Sequence, residues 1–125
     1  MAAPNVMNVT AETWEKEVLE SAIPVIIDFW HDRCSWCLEL DPVLEQVSTE
    51  YTGRAKFVKL NVLENHENQK IAIQYGVMST PTVKFFCKGR TVGEIVGYRP
   101  KNQLREEVEK ILHQHKDCLE KSTAL

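Results

Sequence analysis

The chain has no apolar run approaching the ~18 residues of a membrane span, and no basic stretch leading into an apolar segment near its N-terminus. These absences set the expectation of a soluble cytoplasmic protein with no membrane partner. Nor is there a block of like charge. The 15 basic and 18 acidic residues are spread along the sequence to a net charge of −3, which offers no footprint for nucleic acid. Internal repeats, low-complexity tracts and linkers rich in Gly or Ser are missing as well, so 125 residues with 43% hydrophobic content describe one domain with a real core. His31, His66, His113 and His115 make no metal set with Cys34 and Cys37, because no second ligand pair occurs at zinc-site spacing. No bound metal and no resident cofactor are expected. Cysteine is scarce, four residues in all, and in a reducing compartment a close pair is more often catalytic or metal-binding than structural.

What is present begins with the join between two patterns. Val25-Ile26-Ile27-Asp28-Phe29-Trp30 is an apolar run broken by one carboxylate, and Cys34 and Cys37 follow at once. Residues 24–30 read as a strand buried on both faces, of the kind found in parallel sheets. After Cys37, Leu40, Val43 or Leu44, Val47 and Tyr51 recur at helical spacing, with Pro42 inside the helix, where it should kink it, and Gly53 closing it. Cys34 therefore sits at a helix N-terminus, where unpaired N–H groups and the helix dipole favour a thiolate over a thiol. Arg33 adds a positive charge beside it, unless that side chain is simply solvated. Along the strand Val25, Ile27 and Phe29 share one face and Ile26, Asp28 and Trp30 the other. Asp28 thus lies among groups that favour burial, and desolvation should raise its pKa.

The remaining elements follow from periodicity and turn chemistry. A first helix is expected from Thr10, which can cap it, to Pro24. A strand follows within 56–62, then a polar run over 64–70, a short helix over 71–75 stopped by Gly76, and a turn at Ser79-Thr80-Pro81. Strands over 82–87 and 91–96, separated by Lys88-Gly89-Arg90, call for an antiparallel hairpin. Leu104, Val108, Ile111 and Leu112 form the seam of a final amphipathic helix. The sum is an α/β chain, a mixed sheet covered by helices on both faces.

These residues resemble the thioredoxin family. The resemblance rests on Asp28-Phe29-Trp30, on Cys34 and Cys37, on Pro42, on Lys59-Leu60-Asn61-Val62, on Ser79-Thr80-Pro81-Thr82, on Lys88-Gly89 and on Val96-Gly97, all in the family's order and spacing. It implies a thioredoxin fold over residues 1–113, followed by a polar tail over 114–125. It also implies reversible disulfide exchange on protein disulfide substrates, with electrons from a flavin-dependent thioredoxin reductase and a monomer as the working unit. Cys34 would be the nucleophile and Cys37 the resolving cysteine. Asp28 resembles the family's proton relay for Cys37, the alternative being a carboxylate hydrogen-bonded to backbone for structure. Lys59 matches the lysine near that acid as a modulator of it, or else is a strand lysine reaching solvent. Pro81 resembles the family's cis-proline, which would leave Thr80 to pair with an extended substrate segment. Trp36, Val77, Met78, Val96 and Gly97 would make an apolar docking patch.

The departures bear on redox poise. Ser35 and Trp36 stand between the cysteines and Leu38 follows them, where thioredoxins usually carry Gly-Pro and then Lys. The related oxidoreductases span roughly 150 mV, about 7 kcal/mol, between strongest reductant and strongest oxidant. A disulfide oxidase or isomerase is therefore an alternative to a reductase, as are a non-catalytic adaptor of the same fold and a metal-binding module. Trp36 either selects substrates or packs over the motif. Cys87 reads as a small core hydrophobe and Cys118 as an exposed residue of the tail, able to form an intermolecular disulfide.

Overall fold

A computed structural model describes residues 5–116, so Cys118 and most of the polar tail lie outside the described residues. A central sheet of five strands runs in the order β1-β3-β2-β4-β5: β1 (Met7–Asn8), β2 (Val25–Trp30), β3 (Lys56–Asn61), β4 (Thr82–Cys87) and β5 (Arg90–Val96). β1 and β2 lie parallel to β3, whereas β4 is antiparallel to β2 and to β5. The helices are α1 (Ser35–Ser48), α2 (His66–Gln74) and α3 (Lys101–Gln114). The mixed sheet flanked by helices is the architecture expected from the sequence.

β2 is central, and its first five residues are buried. Its two faces feed two cores. Ile26 packs with Leu40, Leu44 and Val47 of α1 and with Leu104 and Val108 of α3. Val25, Ile27 and Phe29 pack on the other side with Trp14, Val18 and Ala72, where Trp14 makes an edge contact with Phe86 at 5.4 Å between ring centroids. Alternation along a pleated strand produces this division, as the pattern over 25–30 requires.

Local structure departs from expectation in four places. The first helix shrinks to a π-helical turn, Glu15–Leu19, closed by the Glu20 N–H on the Glu15 carbonyl, and the Glu17 carbonyl accepts the Lys56 ammonium at 3.0 Å. Its entry is held by the Thr13 hydroxyl, which accepts the Thr10 N–H at 3.0 Å, rather than by a Thr10 cap. α2 starts five residues earlier than the expected position 71, with Asn65 accepting the Asn68 N–H at 2.8 Å as its N-cap. Within the hairpin the loop is two residues, since Arg90 already pairs with Cys87. Lys88 and Gly89 take the left-handed conformation at φ 54° and 79°, the backbone a tight hairpin demands. β1, two residues long, has no counterpart in the sequence reading. α1 runs through Pro42 as one element, which leaves the Leu38 carbonyl without its intrahelical N–H.

Candidate active site

The site gathers at one end of the sheet. β2 ends at Trp30 and a short loop delivers Cys34 to the N-cap of α1. β4 begins beside that end, with Thr82 opposite Phe29, and β5 finishes there, with Val96 opposite Thr82. The loop before α1, the segment before β4 and the exit of β5 therefore converge without any strand crossing another.

Cys34 and Cys37 are joined by a disulfide, their Cα atoms 5.2 Å apart. Cys34 has extended backbone (φ −101°, ψ 106°), and its sulfur accepts the Cys37 N–H at 3.1 Å. The two cysteines differ in access: Cys34 is half-buried, whereas Cys37 is 1% exposed. Arg33 is exposed. Trp36, between the cysteines, is 60% exposed and rests against the Tyr98 ring at 5.4 Å.

Asp28 shares a β2 face with Ile26 and Trp30 and looks toward α1, on which Leu40 and Leu44 follow Cys37 by about one and two turns. The carboxyl is 1% exposed, and its Oδ1 has no hydrogen-bond partner. Burial, reinforced by the negative charge of Asp41 and opposed by Lys59, pushes it from an ordinary 3.8 up to about 7. Lys59 stands directly across from Asp28 in the β2–β3 register, yet its ammonium bonds Asp41 Oδ1 at 2.9 Å. It also lies over the Trp30 ring, 5.0 Å from the centroid.

The Thr80–Pro81 peptide bond is cis. The Gly97 N–H donates to the Pro81 carbonyl at 2.8 Å, which ties the exit of β5 to the turn before β4, and the Thr82 hydroxyl closes that turn on the Ser79 carbonyl at 2.7 Å. Met78 and Val96 are exposed, at 95% and 48%. Val77 instead packs partly into the core beside Ala72. Cys87 is buried, 2% exposed, at the far end of β4. Among the described residues no three His, Cys, Asp or Glu side chains gather where they could hold a metal ion, and no helix is long and apolar enough to cross a membrane.

Two residues of this cluster escaped the sequence reading. Asp41 lies one helical turn after Cys37, a spacing that was legible, but nothing local shows that it captures Lys59. Tyr98 follows Gly97 directly and meets Trp36 only through the tertiary fold.

Comparison with known proteins places these features in context. The family model described as Thioredoxin matches residues 5–110. The chain is 40% identical over 104 residues to "Thioredoxin 1" of Nostoc sp., covering 83% of this chain and 94% of that one. It is 38% identical over 103 residues to "Thioredoxin" of Rickettsia felis, covering 82% and 95%. To "Thioredoxin M-type, chloroplastic" of Spinacia oleracea it is 39% identical over 111 residues, covering 89% of this chain and 60% of the relative.

Proposed function

Since the chain belongs to the thioredoxin family and is a thiol–disulfide oxidoreductase with its cysteine pair at disulfide distance, we propose that it acts as a protein-disulfide reductase through Cys34 and Cys37. The observation that carries the reading is the asymmetry of the pair. A half-buried cysteine caps a helix through its sulfur while a buried one follows it, and the buried Asp28, with Oδ1 unpartnered, lies on the β2 face that packs against that helix.

Once the pair is reduced, Cys34 reacts as the thiolate, the form that the first turn of α1 and the Cys37 N–H, bonded to the Cys34 sulfur in the disulfide, would favour. It attacks one sulfur of a substrate disulfide. A Cys34–substrate bond forms, the substrate S–S bond breaks, and the departing thiolate takes a proton from water. Cys37 then gives its proton to the Asp28 carboxylate and, as thiolate, attacks the Cys34 sulfur. The Cys34–Cys37 bond forms, the second substrate sulfur leaves as a thiolate and is protonated, and the substrate has gained two electrons and two protons. Lys59 modulates Asp28 in this scheme. Thr80 and the cis Pro81 receive an extended substrate segment beside Cys34, with Trp36, Val96 and Gly97 as its apolar flank. A flavin-dependent reductase restores the dithiol, the protein works as a monomer, and the cytoplasm, where reducing power is regenerated, is its compartment.

Equilibration of the pair against graded dithiothreitol buffers, read by thiol alkylation, tests the direction of transfer. A potential near the thioredoxin value of about −270 mV supports a reductase. One near the −180 to −120 mV of isomerases and oxidants, roughly, reassigns the protein to oxidation through Ser35 and Trp36, and no reversible couple at all overturns redox function.

A further inference from the structure

Asp41 is the acidic residue that the site contains and the exchange scheme does not use. Three elements pack against the buried Asp28 and their charges are few. β3 contributes Lys59, directly across in register. β4 contributes the apolar Val83. α1 contributes Cys37, which is in the disulfide, and Asp41, one turn further along the helix. Lys59 is the cation placed to neutralise Asp28, and its side chain is 18% exposed, well enough shielded for its charge to matter. The ammonium points to Asp41 instead, with Nζ 2.9 Å from Oδ1. Asp28 Oδ1 is left without a hydrogen bond. A carboxylate in that state loses twice, from the neutralisation of its nearest cation and from the added negative charge of Asp41.

We propose that Asp41 is a positioning residue for the exchange chemistry: by holding the Lys59 ammonium away from Asp28, it keeps the buried acid able to exchange a proton near neutral pH. The proposal rests on the reading that this proton is the one Cys37 gives up during resolution. Asp41 touches neither sulfur nor substrate and acts only through the Lys59–Asp28 pair. Burial alone supports a high proton affinity of Asp28, and Asp41 reinforces it. Without Asp41 the ammonium would be free to turn to Asp28, which would then be a stably ionised and poorly basic carboxylate, slow to accept the Cys37 proton.

Asp41→Asn keeps an acceptor for Lys59 and removes the charge. Because the Asp41 side chain is 48% exposed, the variant should fold, and Asp41→Ala serves as a second test. In the full-length oxidised protein, with the aspartate carboxyl carbons isotopically labelled, the Asp28 resonance should titrate about one pH unit lower in Asp41→Asn than in the parent. In Lys59→Gln it should titrate higher. Opposite shifts from the two partners are a signature that a merely structural role for Asp41 would not produce. An unmoved Asp28 titration in both Asp41 variants overturns the proposal. The pH dependence of mixed-disulfide resolution, followed with a disulfide-linked peptide, separates the two ideas. If the acid limb moves down together with the Asp28 resonance, both stand. If the resonance moves and the limb does not, Asp41 controls Asp28 but Asp28 is not the relay.

Discussion

Replacing Asp28 by Asn should make the protein's stability depend on pH in a different way, and the size of the difference follows from the burial of the acid. Asp28 binds its proton up to about pH 7 in the folded protein, against 3.8 for an ordinary aspartate. Between those values the folded chain holds a proton that the unfolded chain has released. The associated stability is therefore present in full below about pH 3.8, eroded as pH rises, and wholly lost above about pH 7. An interval of about three units, at about 1.4 kcal/mol each, amounts to roughly 4 kcal/mol. The Asn variant lacks this titration and keeps all others. Urea unfolding of the two oxidised proteins at intervals from pH 4 to pH 8 should show the variant gaining on the parent by about 4 kcal/mol across the range. The constant offset between the curves reflects how the amide is accommodated and carries no information about ionisation. A difference that stays flat from pH 4 to pH 8 would refute the reading of Asp28 as a buried carboxyl that binds its proton up to about pH 7.

Other perturbations test neighbouring links. Cys34→Ser should abolish reduction of protein disulfides, whereas Cys37→Ser should accumulate mixed disulfides with substrates, visible as reducible adducts on non-reducing gels; an active Cys34→Ser protein would remove the nucleophile. Asp28→Asn should slow release of reduced substrate near neutral pH, measured by single-turnover quench, while leaving the first attack by Cys34 unchanged. Gly93→Ala should destabilise by about 1–3 kcal/mol in urea unfolding, because a Cβ there would meet Ile111 Cγ2 at 2.9 Å and the β-branched Ile111 has few rotamers with which to yield.

The parts of this molecule that were legible in its sequence are those where one local pattern reports one environment. β2 could be read because a run of apolar residues leaves no alternative to burial on both faces, and the face shared by Ile26, Asp28 and Trp30 follows from the two-residue period. The hairpin and α3 announced themselves through turn residues and a seam of Leu104 and Val108. α2 was half hidden because its inward residue one turn from the cap is Asn68, polar yet fully buried. Its amide holds the Ala11 N–H and the Asn61 carbonyl together at 2.8 and 3.0 Å, so hydrogen bonding does there what apolar contact does elsewhere, and hydropathy is blind to it. β1 is too short to show a period. At the site, the cysteines and Asp28 were visible as residues in a strand and a helix start. The partners that set their behaviour were not, since Lys59 choosing Asp41 and Trp36 meeting Tyr98 depend on how elements distant in sequence approach one another.

The two outer strands of the sheet have a bearing on how the folded chain treats its own copies. An unpaired strand edge is a template on which another chain can add, and long flat edges are where folded proteins begin to aggregate. On one side the edge is β1, only Met7–Asn8. On the other, β5 carries Arg90 and Glu94 along its length, with a break in register opposite Phe85 and Phe86 that twists the ribbon. Neither gives a neighbour the run of matched donors and acceptors that edge-to-edge growth requires. If extended segments of other proteins are taken up at Thr80 and Pro81, strand pairing is offered beside the disulfide and withheld at both margins, so concentrated solutions of this protein should stay free of sheet-mediated assembly while it still engages clients.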